Sequence, residues 1–100
     1  MRKIDVIALL QSHADELRAA GVAHVSLFGL IARDEGGQDS DVDLVVAGTP
    51  ERPMTLFSMA RAEAALERIL GRSVDLTSQQ GLERAVQFHR RIANDLISVF

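Results

Sequence analysis

Cysteine is absent from the chain, which excludes disulfides and thiolate-bound metals and fits a reducing compartment. Long apolar runs are missing too, and no stretch approaches the roughly eighteen residues of a membrane span. The opening residues, Met1 to Asp5, lack the apolar centre of a signal peptide, because Asp5, His13, Asp15 and Glu16 interrupt any apolar run near the start of the chain. A cytoplasmic protein away from the membrane is expected. Excess positive charge is also lacking. A net charge of −3 and a pI of about 5.5 argue against direct nucleic-acid binding by bulk electrostatics. Proline occurs twice, at Pro50 and Pro53, inside one turn cluster. What remains is 100 residues, 47% of them hydrophobic, enough for one domain (residues 1–100) with a single modest core.

The most informative stretch runs from Leu27 to Val46. An apolar, β-prone segment, Leu27-Phe28-Gly29-Leu30, ends at a glycine. A polar loop comes next, Ile31 to Ser40, holding Gly36, Gly37, Asp39 and Ser40. A second apolar segment, Asp41-Val42-Asp43-Leu44-Val45-Val46, opens with two aspartates. Side chains two apart on a strand share a face, so Asp41 and Asp43 stand together while Val42, Leu44 and Val46 form a core face. Two parallel carboxylates without an intervening base repel unless a cation joins them, and hard oxygen ligands suit Mg²⁺ or Mn²⁺. From Leu30 to Asp43 there are five acids against one base, Arg33, so a triphosphate would approach only with divalent cations. An Asp-x-Asp at a strand mouth is by itself more often structural. The glycine turn beside it, and a third carboxylate further on, shift the reading towards phosphoryl or nucleotidyl transfer.

The rest of the chain supplies the frame. Ile7, Leu10, Ala14 and Leu17 recur at helical spacing, predicting a helix over residues 2–20 that Gly21 stops. Residues 22–28 read as a strand with Val25 and Leu27 inward and His24 and Ser26 outward. Residues 41–47 form a second strand, and 55–70 a helix closed by Gly71, with Met54, Phe57 and Met59 near its start read as packing residues ahead of ligand-pocket lining. Residues 73–77 alternate cleanly into a third strand, placing Asp75 on a wet face. If that strand pairs beside the second, Asp75 joins Asp41 and Asp43. Three carboxylates so arranged bridge two cations about 3.5–4 Å apart. Leu82, Val86, His89, Ile92, Ala93, Leu96 and Phe100 recur at helical spacing, so residues 82–100 are expected to form a last helix. Its apolar end is a candidate surface for homo- or hetero-oligomer contact. His13, His24 and His89 read as solvated or packing histidines. The expected class is α/β (α+β), in the order α-β-β-α-β-α, with a small mixed sheet and helices on one face.

Gly29-Leu30-Ile31-Ala32-Arg33, the ten residues between Leu30 and Asp41, Ser40-Asp41-Val42-Asp43-Leu44 and Val74-Asp75-Leu76 resemble the minimal nucleotidyltransferases of the DNA polymerase β-like superfamily. The family pattern reads G-S-x-A-R-G, a short polar loop, S-D-x-D-L and a later V-D strand. The resemblance spans nearly the whole chain. It implies a nucleotidyltransferase fold, Mg²⁺ and ATP or another nucleoside triphosphate. It implies Asp41, Asp43 and Asp75 as the catalytic, metal-binding carboxylates. Gly29, Leu30, Arg33 and Ser40 would form the phosphate side. Such domains are frequently antitoxins paired with a HEPN-domain RNase, and the resemblance implies transfer of AMP to a tyrosine of that toxin.

Two positions depart from the pattern. Leu30 stands where the family has serine, and Asp34 where it has glycine. A lost hydrogen bond to a charged group costs roughly 1.5–3 kcal/mol, and a carboxylate in the turn adds repulsion. Three readings are open: an active transferase acting on a partner protein; an impaired one that works by binding its partner; and, last, transfer to a small molecule, for which 100 residues leave little substrate-holding structure.

Overall fold

The computed structural model describes residues 1–37, 39–86 and 94–100. The expected helix over 2–20 is two helices, α1 (Lys3–Ser12) and α2 (Ala14–Ala19). The break falls at His13 because Ser12 Oγ and His13 Nδ1 both reach the Leu9 carbonyl, at 2.8 and 2.9 Å. Side chains bonding back to the preceding turn compete with the helical ladder. Gly21, at φ +99°, ends α2. There the Val22 N–H bonds the Leu17 carbonyl and the Gly21 N–H that of Arg18, the paired closure a left-handed C′ residue allows.

The chain then forms β1 (His24–Phe28), a single helical turn α3 (Gly29–Ala32), β2 (Val42–Ala47), α4 (Leu56–Leu70), β3 (Val74–Ser78), α5 (Gln79–Val86) and β4 (Ile97–Ser98). Thr55 and Ser58 cap the start of α4 reciprocally, and Gly71 at φ +65° closes its end. The four strands lie in the order β3-β2-β1-β4. β1 is antiparallel to both β2 and β4, whereas β3 is parallel to β2. A parallel neighbour requires a crossover, and α4 provides it.

One face of the sheet carries the core. Val25 and Leu27 of β1 and Val42, Leu44 and Val46 of β2 are fully buried against Val6 and Leu10 of α1, Leu17 of α2 and Ala62 and Leu66 of α4. Val45 and Leu82 are also buried but stand outside that cluster. Val45 points away from the core face by the alternation of β2, and α5 lies against β2 and β3, so a smaller apolar contact covers part of the second face.

The expected helix over 82–100 needs correction. Its first turn and a half is present in α5, and residues 87–93, with His89, Ile92 and Ala93, lie outside the described ones. The end of the chain is a strand. Ile97 pairs opposite Leu27 and Ser98 opposite Ser26, and the Val99 N–H bonds the Val25 carbonyl at 2.8 Å. The β-branched residues Ile97 and Val99 alternate with Ser98, which suits a pleated edge, and β1 offers a free edge to pair with. Val99 is buried, Ile97 and Phe100 pack on the core, and the Arg18 guanidinium sits 4.9 Å from the Phe100 ring centre. The apolar tail is thus folded inward against the core, and the last helix on which an oligomer contact was expected does not extend over residues 97–100. The large exposed apolar side chains are instead chiefly Leu56 and Phe57 at the start of α4. Phe57 therefore does not pack as expected, whereas Met54 and Met59 do. Among the described residues no helix is long and apolar enough to cross a membrane.

Candidate active site

The pairing register assembles the site. Phe28, the last residue of β1, lies opposite Asp43 of β2, and Asp43 lies beside Asp75 of β3. Paired residues on neighbouring strands project to the same face. A row of one aromatic ring and two carboxylates therefore crosses three strands, opposite the core. Asp75 is exposed and Asp43 half-buried.

Gly29 comes directly after Phe28 and turns the chain into α3 at φ +77°. A Cβ at this position would stand 2.2 Å from Asp43 Oδ2 and 2.9 Å from its Cγ. Both the left-handed backbone and the contact require glycine. The start of α3 thus rests against the Asp43 carboxylate.

Asp43 is strained electrostatically. Its carboxyl is pushed up from the ordinary 3.8 to about 6, first by burial, then by the charge of Asp75 and a hydrogen bond with it, and further by Asp41. Arg33 pulls the other way and is outweighed. Asp41 precedes β2, is exposed, and opens on a shallow hollow lined also by Ser40, Arg72 and Ser73. Arg72 went unremarked in the sequence because it stands just past the Gly71 stop as an ordinary linker residue; only the parallel β2–β3 pairing brings it beside Asp41.

An all-carboxylate donor set suits a hard divalent cation, and charge that raises the Asp43 pKa is charge a cation would relieve. Among the described residues, no three His, Cys, Asp or Glu side chains are already gathered into a group that could hold an ion. The structure offers a register-matched pair, Asp43 and Asp75, with Asp41 close enough to act on Asp43 through its charge. Asp43 and Asp75 would hold the metal, and Asp41 would complete its ligands.

The remaining loop residues serve the loop. Ser40 Oγ accepts the Gly37 N–H at 2.8 Å, and the Ser40 N–H bonds the Gly37 carbonyl. Arg33 donates to Glu35 at 3.1 Å and to Asp95 at 2.6 Å, and these hydrogen bonds raise its pKa above the usual value. Asp34 has φ +56° and is the sole non-glycine with positive φ among the described residues. The backbone there has the shape that a glycine would fit, and aspartate tolerates it better than most residues. Its carboxylate accepts the Lys3 N–H at 3.0 Å and lies 3.9 Å from Lys3 Nζ. It therefore caps the first turn of α1 instead of adding unpaired charge to the glycine turn. Leu30, 44% exposed, carries its side chain into solvent from α3.

The mixed sheet, with a glycine turn against one of two register-matched aspartates, has the nucleotidyltransferase fold. The family model of the nucleotidyltransferase domain matches residues 10–98, and the chain belongs to that family. It is 34% identical over 83 residues to the protein adenylyltransferase MntA of Thermococcus cleftensis, covering 82% of each chain. A candidate minimal nucleotidyltransferase of known structure is 34% identical and superposes with a TM-score of 0.76, over 97% of this chain and 95% of that one. The MNT antitoxin complex with a tri-AMPylated HEPN toxin from Shewanella oneidensis shares the fold alone. It is 14% identical, with a TM-score of 0.62 over 94% of this chain and 71% of that one.

Proposed function

We propose that this nucleotidyltransferase is a divalent-metal-dependent adenylyltransferase that moves AMP from ATP to a tyrosine of a HEPN-type toxin, and so acts as its antitoxin in the cytoplasm. The observation that carries the reading is the Asp43–Asp75 register beside Gly29. The protein adenylyltransferase relative at 34% identity supports the choice of AMP and of a protein acceptor. The toxin complex of the same fold supports the partner class.

In this reading the acceptor oxygen attacks the α-phosphorus, the bond to the β-phosphate oxygen breaks, and pyrophosphate leaves. Mg²⁺ or Mn²⁺, when bound, supplies charge neutralisation for the triphosphate and activation of the hydroxyl. By the family resemblance, Asp43 and Asp75 would be nearest the incoming hydroxyl and would take its proton. Asp41 adds the third carboxylate. The Gly29 turn brings backbone against the phosphates, and Arg33 and Ser40 hold the loop that frames them. The test is incubation with α-labelled ATP, Mg²⁺ and the HEPN protein encoded beside this chain. Wild type should label a tyrosine, and Asp43→Ala and Asp75→Ala should each lose about a hundred- to a thousandfold in rate, the scale of removing a principal electrostatic group. No label above the Asp43→Ala background sinks the proposal.

One observation favours a second reading, in which the chain neutralises its partner by binding alone. Leu30 places an exposed apolar side chain where the family pattern has a hydroxyl. If the hydroxyl matters, Leu30→Ser tightens ATP binding by about tenfold or more, the worth of one hydrogen bond to a charged group. Strong thermal stabilisation of wild type by ATP with Mg²⁺ would instead count against the binding-only reading. Asp34, the other departure from the family pattern, does not bear on it, since its charge is engaged by Lys3.

A further inference from the structure

Asp95 belongs to no motif, yet its carboxylate makes a short contact with the site loop from outside it. It lies two residues before β4 and accepts from Arg33 Nη1 at 2.6 Å, across 62 positions of sequence. Its side chain is 18% exposed and that of Arg33 27%. Exposed ion pairs contribute little. This one is short, partly sheltered and forked, because Glu35 holds Arg33 Nε at the same time. A guanidinium gripped at two nitrogens has one orientation.

That orientation fixes a turn. The Arg33 N–H bonds the Gly29 and Leu30 carbonyls, the Asp34 N–H that of Ile31, and the Glu35 N–H that of Leu30. The near end of this turn springs from β1, which is paired on both sides. Its far end is Arg33, and Arg33 is tied to Asp95, which leads into β4. Because β4 pairs with β1, the two ends of the turn are anchored to the same piece of sheet. Between them, Gly29 is pressed on Asp43.

We propose that Asp95 is a positioning residue that, through Arg33, clamps the Gly29–Arg33 turn against the Asp43–Asp75 pair and so sets nucleotide affinity without touching the nucleotide. This rests on the reading of that turn as the phosphate side of the site. The neutral Asp95→Asn keeps the shape and removes the charge; Asp95→Glu restores the charge.

The experiment combines hydrogen exchange on the intact protein with titration of ATP and Mg²⁺ and with AMP-transfer kinetics. In Asp95→Asn, the Arg33, Asp34 and Glu35 amides should exchange about tenfold faster while core amides of β1 and β2 do not change. KM for ATP should rise about tenfold with kcat within about twofold, the signature of lost binding rather than lost chemistry. Asp95→Glu should recover most of both. Unchanged exchange at the three amides overturns the clamp, as does an unchanged KM for ATP. A KM that rises only in step with faster exchange across the whole core would mark general destabilisation and overturn it equally. Wild type that fails to bind ATP sinks the reading of the site itself, an outcome distinct from a wild type that binds and an Asp95→Asn that binds equally well.

Discussion

Two groups of acids lie close together in this molecule and meet opposite fates. Asp34, Glu35 and Asp95 each face a cation, the first at Lys3 and the other two at Arg33. Asp41, Asp43 and Asp75 are set where Arg33 reaches only as a weak and outweighed influence on Asp43. The first group ties α1, the loop and β4 together. The second concentrates negative charge on the open face of the sheet. The paired acids build the frame, and the second group crowds carboxylates together so that their charge raises the Asp43 pKa.

The contrast can be broken most forcefully at Gly29. Gly29→Ala forces a methyl group into the space of the Asp43 carboxylate and puts alanine at φ +77°. Overpacking and left-handed backbone together should cost about 2–4 kcal/mol, read as a lower midpoint in urea, with transfer activity lost as well. A midpoint within error of wild type would mean that the turn and Asp43 are not in contact.

A smaller effect tests the crowding of charge. Asp43 holds its proton more tightly when folded, so its contribution favours the fold at low pH and is lost as pH rises from about 4 to about 6. Above that window, ionised Asp43 burdens the fold. Asp43→Asn should accordingly be more stable than wild type at pH 7.5 without divalent ions, by an amount of the order of 1 kcal/mol after allowing for partial exposure. The advantage should vanish near pH 3.5, and Mg²⁺ should narrow it by stabilising only wild type. Thermal melts at the two pH values decide, and a less stable Asp43→Asn at pH 7.5 contradicts the assignment.

The smallest change is expected on the compensated side. Asp34→Gly relieves a left-handed aspartate but removes the contact with Lys3. The two terms nearly cancel, leaving stability within about 0.5 kcal/mol of wild type. Asp34→Ala keeps the backbone cost and loses the contact, so it should fall about 1–2 kcal/mol below Asp34→Gly.

Much of this was legible in the sequence because the signals were local. Period-two alternation marked β1, β2 and β3, and Gly21 and Gly71 stopped their helices as C′ glycines do. Asp75 fell beside Asp43 because a β-α-β unit of this length pairs its strands in parallel. The misreadings came where local pattern is ambiguous. Leu96 to Phe100 carries apolar residues at spacings that suit either period, and only the free edge of β1 decided for a strand. The break at His13 needed two side chains competing for one carbonyl. Asp34 looked like damage to a phosphate turn because its partner, Lys3, lies 31 positions away. Arg33 and Asp95 are separated further still, and no spacing rule joins them.

β3 is the outer strand on its side of the sheet, and Asp75 on it is exposed. Asp75 consequently lies at the rim of the sheet, with Asp43 one strand further in. Under the proposed transfer, a folded protein could bring its own surface to that rim and slide a side chain in from the flank. Part of the selectivity would then reside in the surface that the visitor brings.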